Sequence, residues 1–185
     1  VDISLQGLFR ENLPNVTPFF AKSQALFGGV SNAYKDPAQL GVDRWLAVVA
    51  GFSKYNESCF VVDCGSAITI DLVDAAGQHQ GGYILPGIEL MKRSLSAGTK
   101  RVEFDSLCGQ GIKYGETTSE CVQAGVSFAM LSVFEGLLSR MAGDQVKRLI
   151  VTGGDGAYAS SLSQSIEYYP DLVFEGLSLV DGVGC

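Results

Sequence analysis

Histidine is almost missing from this sequence of 185 residues, since His79 is the single example. A Ser-His-Asp triad or a histidine-based metal site therefore has little material, and His79 is expected to be an ordinary polar residue of a strand or turn. Basic residues are also few, because 13 Lys and Arg stand against 20 Asp and Glu, which gives a net charge of −7. Nucleic acids and anionic membranes favour a basic surface, so neither is expected as a partner.

The sequence also shows no long apolar run, no secretion leader and no CxxC motif. No apolar stretch approaches the roughly 18 residues that a membrane span requires, and no charged segment followed by an apolar one is visible as a leader. The cysteines are odd in number and lack zinc-ligand spacing, which indicates reduced thiols in a cytoplasmic protein. They are Cys59, Cys64, Cys108, Cys121 and Cys185. The hydrophobic fraction of 46% is sufficient for a globular core.

The spacing of apolar residues predicts an alternation of strands and helices. Trp45, Val48, Val49 and Phe52 recur at helical spacing and predict a helix from Val42 to about Tyr55. Three strands joined by short turns are expected next, at Cys59–Val62, Ile68–Leu72 and Gln78–Leu85. After Pro86–Gly87 we expect a helix with Ile88, Met91 and Leu95 on one face. A longer helix is expected from about Thr118 to Arg140, with an apolar stripe formed by Val122, Val126, Ala129, Val133 and Leu137. The remaining predicted elements are a strand at Arg148–Val151, a helix near Tyr158–Ser163 and a closing segment at Leu172–Leu179.

The first forty residues give weaker signals. A short helix around Ser4–Arg10, an extended piece at Pro14–Phe20 and a turn at Gly28–Gly29 are expected there. The order of the later elements is that of an RNase-H-like α/β domain with a mixed sheet and flanking helices, the unit from which the actin-like ATPase superfamily is built. We therefore expect residues 1–55 to form the end of a first such domain with a linking helix, and residues 56–185 to form a second.

A candidate phosphate-binding hairpin joins the first two strands of this domain, in the run Asp63-Cys64-Gly65-Ser66-Ala67-Ile68-Thr69. A carboxylate at a strand end can hold a cation, a glycine allows close approach of backbone N–H groups to an anion, and a hydroxyl can donate to a phosphate oxygen. An ordinary turn with a local side-chain contact explains the same residues, so this run alone leaves both alternatives open.

Asp43 and Arg44 stand at the start of the first predicted helix. Phosphoryl transfer to an alcohol needs a carboxylate near the hydroxyl, and an anionic acceptor needs a nearby cation. Asp43 could equally cap the helix or favour its dipole.

Three other segments carry weaker signals. Thr152-Gly153-Gly154-Asp155-Gly156 follows a buried strand, where glycines permit approach of a nucleotide but also make plain turns. Gly115-Glu116-Thr117-Thr118 opens the long helix, where either threonine can act as the cap or the free N–H groups can bind a ligand. Tyr34 is an aromatic residue in a loop, a position at which packing competes with ligand binding.

Taken in order, these segments resemble the motifs of type III pantothenate kinases. Asn32-Ala33-Tyr34 with Gly41-Val42-Asp43-Arg44-Trp45 resembles their substrate motif. The Asp63–Thr69 run with Gly81-Gly82-Tyr83-Ile84-Leu85-Pro86-Gly87 is similar to their second phosphate motif and the loop after it. Gly115–Thr118 with Gly125, and Thr152–Asp155, follow in the expected order, so the resemblance covers about residue 30 to the C-terminus.

The resemblance implies a fold, an activity and a set of roles. The activity is ATP-dependent phosphorylation of pantothenate to 4'-phosphopantothenate, the first step of coenzyme A synthesis, with Mg²⁺ and a monovalent cation (K⁺ or NH₄⁺) as cofactors. Asp43 would be the general base and Asp63 the ligand of the monovalent cation. Tyr34, Gly41, Val42 and Arg44 would line the pantothenate pocket, Ser66 with Gly65, Gly153 and Gly154 would contact ATP, and Thr118 would reach pantothenate across a homodimer interface.

The sequence departs from the family pattern at its start. The family opens with an Asp-x-Gly-Asn-Thr-type loop that grips the ATP phosphates and Mg²⁺, and no such segment is visible in this sequence. We therefore expect a fragment of a longer protein, and a poor kinase when this chain acts alone. Two alternatives stay open: another small-molecule kinase or an exopolyphosphatase of the same superfamily, and a non-catalytic regulatory protein that keeps the fold.

Overall fold

The computed structural model describes residues 18–96 and 113–182. The predicted helix at Ser4–Arg10, most of the extended piece at Pro14–Phe20, and Cys108 and Cys185 lie outside these ranges. The first described elements are two short antiparallel strands, β1 (Leu26–Phe27) and β2 (Val30–Ser31), which close the turn predicted at Gly28–Gly29. Both glycines have positive φ angles, 57° and 81°.

A five-stranded mixed sheet forms the centre of the fold, with β3 (Cys59–Cys64) in the middle. On one side β3 pairs antiparallel with β4 (Ala67–Val73), which pairs antiparallel with β5 (His79–Pro86). On the other side β3 pairs parallel with β6 (Arg148–Thr152), which pairs parallel with β7 (Ile166–Tyr168). The spatial order β5-β4-β3-β6-β7 confirms the predicted RNase-H-like domain with its antiparallel meander.

Five helices complete the described part of the chain. They are α1 (Val42–Tyr55), α2 (Ile88–Ser96), α3 (Thr118–Gly143), α4 (Gly156–Ser160) and α5 (Leu172–Asp181), and a single 3-10 turn at Pro37–Gln39 precedes α1.

The two faces of the sheet have separate apolar cores, because successive strand residues point to opposite sides. Phe60, Val62 and Cys64 of β3 face a core that contains Met130 and Phe134 of α3. Cys59 and Val61 face the other core, which contains four residues predicted to be buried in α1 and Leu172 of α5. The four are Trp45, Val48, Val49 and Phe52.

Small residues allow α1 to lie close to its neighbours. A Cβ atom added to Gly176 of α5 would lie 2.2 Å from the Leu46 carbonyl oxygen of α1, and one added to Gly51 would lie 2.9 Å from Val61 of β3. Any larger side chain at Gly176 would push the two helices apart. Helix α1 is therefore packed between the sheet and α5, and the boundary at residues 55 and 56 between two domains stays a prediction.

Several boundaries differ from the sequence prediction. β7 was not predicted, because three residues are too few to show an alternating pattern. α4 begins at Gly156, before the predicted Tyr158, and the closing segment is the helix α5. The predicted stripes were partly wrong, since Leu95 is 52% exposed and Ala129 is exposed. Val126, Met130, Phe134 and Leu137 form the buried side of α3.

Helix α3 has the length and apolar composition of a membrane span, so the prediction that no apolar stretch approaches that length was wrong. Four of its side chains pack into the core against the sheet. This packing is typical of the core helix of a globular domain, and composition alone does not make α3 a membrane span.

Candidate functional site

The candidate site lies at the carboxyl ends of the two parallel strands β3 and β6. Asp63 and Thr152 are the last paired residues of these strands, and each is followed by a glycine-containing loop. In α/β sheets, ligands bind in the crevice beyond the carboxyl ends of the parallel strands. The first turn of α1 carries Asp43 to the same place, which brings together three of the segments selected from the sequence.

The carboxyl group of Asp63 is half-buried and lies within electrostatic reach of Asp43. Burial raises the pKa of Asp63, and the negative charge of Asp43 raises it further. Within residues 18–96 and 113–182 neither carboxylate has an ion-pair partner. Two neighbouring carboxylates without a cation attract one, and a pair of this kind at the carboxyl ends of parallel strands is typical of a functional site.

Gly153 is required for this arrangement. Its φ angle is +86°, and a Cβ atom there would lie 2.4 Å from Asp63 Oδ1 and 2.6 Å from the Cys64 carbonyl oxygen. The loop is also held by Asp155, whose N–H donates to the same carbonyl at 3.0 Å. Gly154 is exposed, with no atom within 4 Å of an added Cβ atom. The absence of a side chain on Gly153 thus leaves room for the Asp63 carboxylate. Contact of Gly153 or Gly154 with a nucleotide stays a prediction.

The loop between β3 and β4 consists of Gly65 and Ser66. The Gly65 N–H donates to the Ala67 carbonyl at 3.1 Å, so this donor is satisfied within the turn. Gly87 packs against this loop, and its N–H donates to the Ser66 carbonyl at 3.1 Å. The contact requires a glycine, because a Cβ atom on Gly87 would lie 2.3 Å from the Gly65 carbonyl oxygen. Ser66 is exposed, so it is the residue of this loop that is open to a phosphate group.

The first turn of α1 presents Asp43 to solvent. Gly41 is the N-cap residue, so Asp43 is not the cap, although a carboxylate in the first turn still favours the helix dipole. Asp43 Oδ1 accepts from the Arg44 N–H at 2.8 Å, and a Cβ atom on Gly41 would lie 2.7 Å from it. Gly41 and Val42 are exposed beside it. The second carboxylate oxygen, Oδ2, is left for a ligand.

Arg44 is buried, with 6% of its surface exposed, and is paired within the protein. Its Nε donates to Asp71 Oδ2 at 3.0 Å and its Nη2 to Asp71 Oδ1 at 2.6 Å, while Nη1 donates to the Tyr34 hydroxyl at 3.0 Å. These bonds use three of the five N–H groups of the guanidinium and leave one on each terminal nitrogen. Tyr34 is half-buried and packs against the α1 core.

The two threonines at the start of α3 have different positions. Thr117 is the N-cap residue, since its hydroxyl accepts from the Glu120 N–H and the Glu120 carboxylate accepts from the Thr117 N–H in return. Thr118 is exposed in a groove between α2 and α3 that Met91 and Cys121 also line. Within one chain the groove residues include none of the Asp43 and Asp63 segments, so Thr118 is not brought to the crevice.

Asp71 and His79 are polar residues of this region that the sequence analysis did not select as functional. Asp71 is 1% exposed and accepts from Arg44, and His79 Nε2 lies 2.9 Å from Asp71 Oδ1. A usable signal was present, because Asp71 lies on the same strand face as buried Val73 and needs a buried partner there.

Replacing Asp63 by asparagine should stabilise the folded chain at pH 7. The raised pKa of Asp63 means that its charged form is disfavoured by folding, so its contribution to stability is best at low pH and is lost as the pH rises through the folded-state pKa. Thermal unfolding should give a higher Tm for Asp63→Asn at pH 7, with the advantage shrinking as the pH falls through the folded-state pKa and gone below about 4, the ordinary pKa of an aspartate. Asp171→Asn, at an exposed helix start, controls for net charge. A lower Tm for Asp63→Asn at pH 7 would contradict the electrostatic assignment.

Comparison with known proteins identifies the family. The type III pantothenate kinase family model matches residues 4–140. A type III pantothenate kinase of Hahella chejuensis is 40% identical over 88% of this chain and 67% of its own length, and one of Pseudomonas syringae is 39% identical over 91% and 70%. This chain thus spans about two thirds of these relatives. A solved structure described as a Baf family transcriptional activator from Campylobacter jejuni superposes with a TM-score of 0.62 and 27% identity, over 99% of this chain and 79% of that one. The chain belongs to the type III pantothenate kinase family.

Proposed function

We propose that this protein transfers the γ-phosphoryl group of ATP to the primary hydroxyl of pantothenate, which gives 4'-phosphopantothenate for coenzyme A synthesis. The observation that carries the proposal is the position of Asp43, exposed on the first turn of α1 beside Asp63 at the carboxyl ends of β3 and β6. The names of the relatives support the substrate and the phosphate donor.

Asp43 is suited to the role of general base. A base needs an oxygen that can reach the proton of the attacking hydroxyl, and Asp43 is exposed and has Oδ2 free of the contact that engages Oδ1. Phosphoryl transfer depends mainly on the positioning of the reactants and on stabilisation of charge. On the acceptor side, it therefore requires chiefly a carboxylate that is held in place beside the hydroxyl. The acceptor pocket would be formed by Gly41 and Val42, which precede Asp43, and by Arg44, which follows it and bonds to the hydroxyl of Tyr34.

The other loops of the crevice are suited to ATP. Ser66 is the exposed residue of the β3–β4 loop, and Gly153 and Gly154 lie at the end of β6 on the other side of Asp63. A hydroxyl can donate to a phosphate oxygen, and glycine loops admit a nucleotide without steric conflict. Mg²⁺ would enter with the ATP phosphates and neutralise their charge.

The surroundings of Asp63 fit a monovalent cation such as K⁺ or NH₄⁺. Asp63 Oδ1 and the Cys64 carbonyl oxygen face the same small space beside the Cα atom of Gly153. Oxygen atoms of carboxylates and carbonyls are suitable ligands for such ions. Across residues 18–96 and 113–182 no group of three acidic, histidine or cysteine residues forms a ready cage for a metal ion. One carboxylate with a carbonyl oxygen suits a weakly held cation that shares its shell with phosphate and water.

We also place a second copy of the chain against helix α3. Only 22% of the most apolar part of α3 is buried, and Phe128 on this helix is 61% exposed. Tyr83 and Ile84 of the edge strand β5 are exposed along a separate groove that Val133 and Gly136 of α3 also line. Exposed apolar side chains on one long helix and on the strand beside it are typical of an interaction site. A twofold homodimer would cover these side chains and would let Thr118 of one chain complete the pocket around Asp43 of the other.

Cys59 and Cys64 are buried free thiols, which fits a cytoplasmic enzyme.

A non-catalytic regulatory role is the second candidate. The solved structure from Campylobacter jejuni bears the name of a transcriptional activator, so the fold alone does not decide between the two roles. Substitution of Asp43 separates them, because a regulatory scaffold makes no use of a base.

Asp43→Asn should abolish most of the turnover and leave pantothenate binding nearly intact. Asparagine keeps a hydrogen bond to the acceptor hydroxyl but takes no proton, so the rate of ADP release, which is expected to be low for this chain alone, should fall a further 10²- to 10⁴-fold or so, about the contribution of a general base. Calorimetric titration of pantothenate in potassium buffer should show an affinity within a few-fold of that of the wild-type chain. Asp36→Asn is the matched control, because it removes the same charge from an exposed residue and retains its helix-capping role.

Two results would contradict the proposal at different points. A measurable wild-type rate of ADP release that is unchanged in Asp43→Asn would contradict the role of Asp43 as the base. Failure of the folded wild-type chain to bind pantothenate would contradict the acceptor assignment itself.

A shared site predicts complementation between two variants that cannot bind pantothenate. Asp43→Trp and Thr118→Trp place large side chains at exposed positions, so each should block its own side of the pocket without disturbing the core. After subunit exchange of an equal mixture, about a quarter of the sites should bind pantothenate, since half of the dimers are mixed and each holds one intact site. Calorimetric stoichiometry measures this fraction. A site built within one chain would recover no binding.

A further inference from the structure

A buried polar network joins the acceptor pocket to the β4–β5 hairpin. Asp71 of β4 accepts two bonds from Arg44 and lies 2.9 Å from Nε2 of His79, which is the first residue of β5. Asp71 and His79 are each 1% exposed. Their contacts therefore form in a region of low dielectric constant, where charge-assisted bonds are strong and loss of one partner is costly.

His79 also contacts the loop that carries Tyr34. Its Nδ1 lies 3.4 Å from the backbone nitrogen of Ala33, which is a donor, and its ring stacks on Tyr34 with centroids 6.4 Å apart and an angle of 11° between the planes. Because Nδ1 accepts this bond, the ring proton is on Nε2, from which it is donated to Asp71 Oδ1. The imidazole is thus neutral and is oriented by a contact at each nitrogen.

We propose that Asp71 and His79 are positioning residues of the pantothenate pocket, an inference that rests on the proposed function. Asp71 fixes the guanidinium of Arg44, and His79 joins that carboxylate to the Ala33–Tyr34 segment. The two pocket side chains, Arg44 and Tyr34, are then held as one unit that also includes their mutual hydrogen bond.

The charges of the network explain why the position of the Arg44 guanidinium matters for binding of the acceptor. Asp71 offsets the charge of Arg44, and the neutral His79 adds none, so the unit carries no net charge. Recognition of the pantothenate carboxylate then depends on the placement of the two remaining N–H groups of Arg44, one on each terminal nitrogen. The Arg44 side chain is 7% exposed, so the carboxylate meets only the tip of the guanidinium, and a small displacement would remove the contact.

The test compares pantothenate with panthenol, its neutral analogue, which has a primary alcohol group (–CH₂OH) in place of the carboxylate. His79→Leu removes both hydrogen bonds of the imidazole and keeps an apolar side chain of similar size. We expect about a tenfold or greater loss of pantothenate affinity by calorimetry, as misplacement of a binding group produces, and little change for panthenol. His79→Gln returns an N–H donor toward Asp71 and should recover part of the preference for pantothenate.

Ser58→Ala is the matched structural control. Ser58 is a buried polar residue that bonds to the Gln145 carbonyl and the Lys147 N–H, on the β6 side of β3 and away from Asp71. The Ser58→Ala substitution should lower Tm and leave the ratio of pantothenate affinity to panthenol affinity at the wild-type value. A folded His79→Leu variant that keeps the wild-type ratio would overturn the positioning role. Failure of the wild-type chain to bind pantothenate would instead refute the proposed function.

A measurement on the wild-type chain tests the same proposal without any variant. His79 is the single histidine, so its ring nitrogen signals in an NMR spectrum of ¹⁵N-histidine-labelled chain need no further assignment. We expect the neutral form with the proton on Nε2, and a shift of these signals on addition of pantothenate that panthenol does not produce. A proton on Nδ1, or no response to bound pantothenate, would contradict the proposal.

Discussion

The ion pair between Arg44 and Asp71 fixes where the first turn of α1 lies on the sheet. Both residues are nearly fully buried, and the guanidinium meets the carboxylate through two bonds. Removal of one partner from such a pair leaves an uncompensated buried charge and costs about 3–5 kcal/mol. Since Asp43 precedes Arg44 in the same turn, the pair also sets the position of the proposed base. A structural contact in the core thus determines the geometry of the site.

The crevice itself results from the way in which β3 is paired. Its parallel neighbour β6 ends beside it, and its antiparallel neighbour β4 returns from the same end, so two loops surround Asp63. The absence of a side chain on Gly153 leaves the space that Asp63 Oδ1 faces. The raised pKa of Asp63 shows that its charge is held at a cost to stability, which is typical of a carboxylate retained for function.

Elements with a clear periodic pattern were predictable from the sequence. Helix α1 has the predicted bounds, because its apolar residues keep helical spacing and a glycine precedes it. The three strands of the meander were predicted within two residues at each end, because tight turns separate them. β7 was missed, since its pairing with β6 is a long-range contact that leaves no local signal in three residues.

The candidate site was predictable in part. The segments that contain Asp43, Asp63 and Gly153 were predicted from their sequence, and the fold brings them to one end of the sheet. The contacts of Asp71 with Arg44 and His79 were not predicted. Arg44 lies 27 positions before Asp71 and His79 lies 8 positions after it, each on a different element from Asp71. The role of Thr118 stays a prediction, since it depends on a second chain that no sequence pattern positions.

The most direct test of this account is a crystal structure of the chain with bound pantothenate and potassium. We expect the primary hydroxyl within about 2.6–3.2 Å of an Asp43 carboxylate oxygen, the reach of a general base, and the pantothenate carboxylate at the free N–H groups of Arg44. The pantothenate hydroxyl lying at another residue, or the ligand bound outside the crevice beyond β3 and β6, would contradict the assignment of Asp43 and of the pocket around it.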